Sequence, residues 1–126
     1  MAKVLGIGGV FFKADAPKDR IAWFKDKLGI EPGDGFDGAL FPWTGEGGRK
    51  HQTVLGVFDR DTTYFEPTDL PYMINFIVDD LDGMLDELRE KGCAVDDKVD
   101  EMEGVGRFGW VTDPFGLKIE LWQPAS

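Results

Sequence analysis

Glu120 is the residue of this chain whose place most invites chemistry. It sits in the closing stretch DPFGLKIELW, residues 113 to 122. Leu117, Ile119 and Leu121 alternate on one face there, and Lys118, Glu120 and Trp122 on the other. That is the period of a strand, entered through the turn Asp113-Pro114-Phe115-Gly116. A carboxylate in such a strand either faces solvent or points into a cavity, where it can bind a ligand or accept a proton. His51 is the only histidine and the only imidazole base available near neutral pH. It follows GEGGRK and reads as an exposed residue at a strand end. Cys93 is the only cysteine, so an intramolecular disulfide and a CxxC or Cys/His metal cluster are both excluded. Next to Gly92, at a helix-to-strand junction, it reads as a small buried residue. The glycines of GIGGV have no phosphate-loop pattern and no helix directly after them, so they suit a bend or a close strand approach.

These residues need elements to hold them. KVLGIGGVFFKA (3–14) reads as a strand. Asp15-Ala16-Pro17 opens a helix in which Ile21, Phe24 and Leu28 recur at helical spacing, and Gly29 stops it. Three short strand candidates follow, near Ile30, over Phe36 to Trp43 and over His51 to Phe58. DRDTTYFEPTDLP (59–71) reads as a linker. The pattern then restarts: YMINFIVDD is a strand, Asp80 a helix N-cap, and Leu81, Met84, Leu85 and Leu88 an apolar stripe ended by Gly92. CAVDDKV, GRFGWVTD and GLKIELWQ complete three more strands, with DDKVDEMEG a solvated turn and strand edge. Gly29 and Gly92 stand half a chain apart. The expected architecture is α+β: a single domain over 1–126, with one βαβββ module at about 3–58 and a second at about 72–124.

Bulk composition narrows the function classes. With 24 acidic against 14 basic residues the formal net charge is −10, which argues against nucleic-acid binding. No segment approaches the roughly 20 apolar residues of a membrane span, and no secretory signal is visible, so a cytoplasmic protein is expected.

The repeat, with FKDKLGI after the first helix, FIVDDLDGMLDELREKG opening the second half and GWVTDPFGLKIELWQP at the end, resembles the vicinal oxygen chelate superfamily. That superfamily includes glyoxalase I, extradiol dioxygenases and bleomycin resistance proteins. More narrowly, the chain resembles small glyoxalase-like proteins related to lactoylglutathione lyase. The resemblance implies a mixed sheet curled into a cup, and a homodimer. It also implies four metal ligands on the cup wall, at Gly9, at Leu55 or Gly56, at Met73 and at Glu120. Only Glu120 is a usual donor, so no metal and no cofactor are expected.

Within that resemblance Phe11, Asn75, Trp110 and Glu120 are the expected cup-facing, ligand-binding residues, with Trp43 and Trp122 weaker candidates. Glu120 is the one candidate catalytic group. Three functions remain open. The first is metal-independent binding of a small molecule, with cations favoured by the charge. The second is a lyase or isomerase of glyoxalase I type with Glu120 as base and Arg107 or Asn75 as oxyanion donor. The third is a non-catalytic interaction module.

Overall fold

A computed structural model describes residues 1–125. Strand β1 (Val4–Ala14) leads into helix α1 (Pro17–Leu28). Pro17 takes the first helical position, where its missing N–H costs nothing, and Gly29 closes the helix at φ 71°. Strands β2 (Gly38–Thr44) and β3 (Lys50–Asp59) complete the first half. The second half runs β4 (Tyr72–Val78), α2 (Leu81–Glu90), β5 (Ala94–Val95), β6 (Asp100–Met102), β7 (Gly106–Thr112) and β8 (Lys118–Pro124). Asp80 caps α2 by accepting from the Gly83 amide at 3.2 Å.

All eight strands join one mixed sheet in the order β2-β3-β1-β4-β8-β7-β5, with β6 also paired to β7. The sheet is built around a pseudo-twofold axis. Antiparallel β1 and β4 form its centre, and each is flanked by a parallel neighbour, β3 and β8. Both helices pack on one face. Ile21 and Phe24 of α1 meet Phe12, Ala14 and Val57; Leu81 and Leu85 of α2 meet Val78, Val111 and Leu121. Each fully buried side chain of this size contributes about 1.5–3 kcal/mol. The opposite, concave face carries the other half of each strand's side chains.

Four expectations are corrected. The segment near Ile30 is not a strand; the backbone turns from Gly29 through Gly35, both at positive φ, before β2 begins. The strand expected over CAVDDKV shrinks to two residues, and a separate pairing at Asp100–Met102 takes over the edge of β7. Cys93 is exposed rather than buried. Residues 59–71 do more than link: they fold into the concave face, where Phe65 is 0% exposed and packs with Phe11 and Met73. Among the described residues no helix is long and apolar enough to cross a membrane.

Candidate functional site

Sheet register assembles the candidate residues. Asn75 on β4 lies beside Glu120 on β8, and Glu120 lies beside Trp110 on β7. Gly9 on β1 extends the row on the other side of Asn75. Side chains alternate along a strand, so all of these emerge on the concave face. The carboxylate of Glu120 is 3% exposed and accepts from three donors: Asn75 Nδ2 at 2.6 Å, Trp110 Nε1 at 3.0 Å and the Tyr64 hydroxyl. None of the three donors carries a formal charge. The Tyr64 hydroxyl's pKa is pushed well above its usual value, first by burial and then by the charge of Glu120, so the phenol keeps its proton and donates.

The wider shell is aromatic. The Tyr64 ring stacks on Phe58 at 5.6 Å, and Phe108 stacks on Trp122 at 5.8 Å. Lys118, also on the concave face, does not hydrogen-bond Glu120, although the two charges are near enough to attract. Its ammonium donates to the Tyr64 carbonyl at 2.7 Å and lies over the Tyr64 and Trp110 rings. Burial lowers its pKa.

A cavity of about 220 Å³ opens on this cluster, with Phe11, Tyr64, Asn75, Phe108, Glu120 and Trp122 in its wall. Phe11, Asn75 and Glu120 therefore share one chamber. Trp110 supports Glu120 from the side, and Trp122, a weaker candidate, lines the wall. Asn75 uses its amide N–H on Glu120, which leaves Oδ1 as a buried acceptor with no partner. That atom sits against Gly8, where β1 bulges between Ile7 and Gly9. A Cβ at Gly8 would overlap it, so glycine is what admits the Asn75 side chain. An orphaned buried acceptor costs about 1–3 kcal/mol, and a ligand N–H or O–H would satisfy it.

Other candidates lie elsewhere. His51 is 7% exposed, not an exposed strand end. It pairs with Trp43 across β2 and β3, their rings 4.7 Å apart, and it lines a cavity of about 370 Å³ together with Lys50, Gln52, Val54 and Trp122. Burial, then Arg49, lowers its pKa. Trp43 donates its Nε1–H to Thr53 Oγ1 and lays its ring against Gly6. Arg107 is engaged by Asp82 at 2.9 Å and Glu101 at 3.8 Å, and Glu120 is not among its partners. Tyr64 was missed by sequence reasoning. Its signal was an aromatic pair, Tyr64-Phe65, inside an otherwise polar linker.

The implied metal ligands do not fit an ion. The pseudo-twofold relates Gly9 to Met73, and the pairings Phe11–Gly56 and Asn75–Glu120 relate Gly56, rather than Leu55, to Glu120. A Cβ at Gly9 or Gly56 would come within 2.6 Å or 2.7 Å of the Phe11 ring. Phe11 thus occupies the side-chain space of two ligand positions, and Phe65 packs on the third, Met73. Among the described residues no group of three His, Cys, Asp or Glu is placed to hold a metal.

A family model described as Glyoxalase/Bleomycin resistance protein/Dioxygenase superfamily matches residues 11–121. Among solved structures, methylmalonyl-CoA epimerase from Mycobacterium tuberculosis is 21% identical at TM-score 0.61, over 98% of this chain and 90% of that one. A Streptomyces coelicolor methylmalonyl-CoA epimerase in complex with 2-nitronate-propionyl-CoA reaches TM-score 0.73 at 16% identity, over 98% and 100%. The Mn(II)-bound glyoxalase from Novosphingobium aromaticivorans is 21% identical at TM-score 0.62, over 98% of this chain and 40% of that one. At such identities the likeness concerns the fold alone. No curated protein matches the chain.

Proposed function

The chain belongs to the glyoxalase/bleomycin resistance protein/dioxygenase superfamily, and from that premise we propose that it binds a small organic molecule through a positively charged or N–H-donating head, without a metal. One observation carries the reading. A buried carboxylate served only by neutral donors and an orphaned amide oxygen share one aromatic-walled cavity. Both groups accept; neither donor-poor ligands nor anions answer them. A primary ammonium or amidinium satisfies Asn75 Oδ1 and the Glu120 charge together, while the aromatic walls stabilise the cation further. A quaternary ammonium leaves Oδ1 orphaned. About 220 Å³ is below the 300–1,000 Å³ of drug-sized sites, so the head group is small.

Titration calorimetry with butylamine, benzylamine, benzamidine and their neutral alcohol or amide counterparts tests this. The expected result is saturable binding of the cations, reduced at least tenfold by Glu120→Gln. Equal binding of neutral and charged members, or indifference to Glu120→Gln, would overturn it.

A second reading is favoured by the direct pairing of Glu120 with the Tyr64 phenol, which sets a base beside an acid as an isomerase or lyase requires. It predicts that the protein exchanges the α-hydrogen of methylmalonyl-CoA for deuterium in heavy water, and that Glu120→Gln abolishes the exchange. A protein with neither behaviour would be an interaction module. We also place the protein in the cytoplasm, where an exposed lone thiol stays reduced, as a single domain that dimerises; light scattering on the purified chain checks the dimer.

A further inference from the structure

The chamber on Glu120 does not end at Trp122. Val54, Val105 and Trp122 also wall a second cavity of about 370 Å³, so the two adjoin across these three shared apolar residues. Leu40, Val54, Ile77, Val105 and Trp122 line the second cavity's body. Its polar lining is Lys50, His51 and Gln52: His51 is buried, while Lys50 and Gln52 share the strand parity of Val54 and are exposed. Lys50 has no carboxylate within ion-pair distance among the described residues. The shared wall is fixed by the turn between β6 and β7: the Val105 carbonyl accepts from Trp122 Nε1 and from the Ala125 amide, each at 3.0 Å. Polarity thus changes sign along the concave face, from acceptors at the inner end, through an apolar middle, to a cation at the outer end.

We infer that the two cavities are one elongated site whose ligand is a zwitterion: an ammonium or amidinium head at Glu120 and Asn75, an apolar body along Trp122, and a carboxylate or other anionic tail at Lys50 and Gln52. This rests on the reading of the inner chamber given above and adds the ligand's length and its second charge. Lys50 is then a specificity-determining residue and not part of the inner chamber. Along the sheet, Glu120 and Lys50 are separated by three strand spacings of about 4.8 Å and four residues of about 3.3 Å. The curl of the sheet and the lysine stem close that distance across the cup, so the ligand's length is itself an observable.

The experiment compares unbranched alkylamines with ω-amino carboxylates of about four to ten carbons, by calorimetry on wild type and Lys50→Gln. At an optimal length the amino carboxylate binds about three- to fivefold tighter than the amine of the same skeleton, the yield expected of an exposed charge pair. Lys50→Gln removes that gain and leaves the amine's affinity unchanged. If amines bind and the carboxylate gives no gain at any length, or the gain survives Lys50→Gln, the elongated site is wrong and the inner-chamber reading stands. If no amine binds the wild type, both fall.

Discussion

Removing one hydroxyl tests whether the cluster on Glu120 is an energetic unit. Tyr64→Phe deletes a donor and little else. The ring keeps its stack on Phe58, at 5.6 Å and 4° between planes, and its edge contact with Phe65. Lys118 keeps its bond, because that bond goes to the Tyr64 backbone carbonyl. A hydrogen bond to a charged group contributes about 1.5–3 kcal/mol, but Tyr64 is 38% exposed, so water recovers part of it. The net loss expected is about 1 kcal/mol, or about 3–5 °C in Tm for a domain of this size. Urea unfolding at pH 7.5, with an unchanged m-value, measures it. Glu120→Gln and the double variant complete a cycle in which the expected coupling is also about 1 kcal/mol. pH supplies a second check. The folded-state pKa of Tyr64 lies above its unfolded value near 10, so its contribution is complete below pH 10 and is lost as pH rises through the folded value. Stability of wild type relative to Tyr64→Phe should therefore decline above pH 10 and stay level from pH 7 to 9. Additivity of the two substitutions to within about 0.3 kcal/mol would refute the account, because the Tyr64 hydroxyl would then act independently of the carboxylate.

The remaining expectations concern the surroundings of the cluster. Gly8→Ala forces a Cβ onto Asn75 Oδ1 and against Ile77, so it should cost about 1–3 kcal/mol in urea unfolding and weaken amine binding with it. Phe65→Ala empties a fully buried site and should cost about 3–5 kcal/mol, a large effect for a residue in a nominal linker. The folded pKa of His51 lies below its unfolded value of about 6.5, so its contribution is present above pH 6.5 and lost as pH falls through the folded value. His51→Gln should flatten that part of the pH–stability curve between about pH 7 and 5. Zinc, nickel and manganese should give no saturable, chelator-sensitive thermal shift; such a shift, if abolished by Glu120→Gln, would show that a metal does find ligands there.

Periodicity made the central elements legible. β1, both helices, β4 and β8 carry either a strict alternation or a helical stripe with its own stop glycine, and each appears where that pattern puts it. The outer strands were harder for a physical reason: at an edge, pairing is decided by what lies alongside. β5 and β6 divide one edge of β7 between them, and nothing local to CAVDDKV says where the division falls. For the site, alternation along β1, β4 and β8 together with the resemblance pointed to Phe11, Asn75 and Glu120, and Trp110 followed from the strand adjoining β8; the register puts all four on a common face. Tyr64 was out of reach of that argument. It arrives from a segment with no period, and its hydroxyl meets Glu120 from 56 positions away.

The same reasoning ties the implied chelate positions to the inward fold of the linker. A histidine at Gly9 needs volume that the Phe11 ring fills, and a carboxylate at Gly56 meets the same ring. Met73 is covered by Phe65, which reaches it only because residues 59–71 fold inward. The aromatic plug and the missing donors are one packing solution. Restoring a single ligand, as in Gly9→His, would overlap Phe11 at 2.6 Å without recruiting a second donor, so it should lower stability and bind no metal. Regaining a chelate requires Phe11 and Phe65 to give way as well. The Glu120 carboxylate is accommodated beside this plug because Asn75, Trp110 and Tyr64 supply the donors, and Glu120 and Asn75 both line the cavity that the plug leaves open.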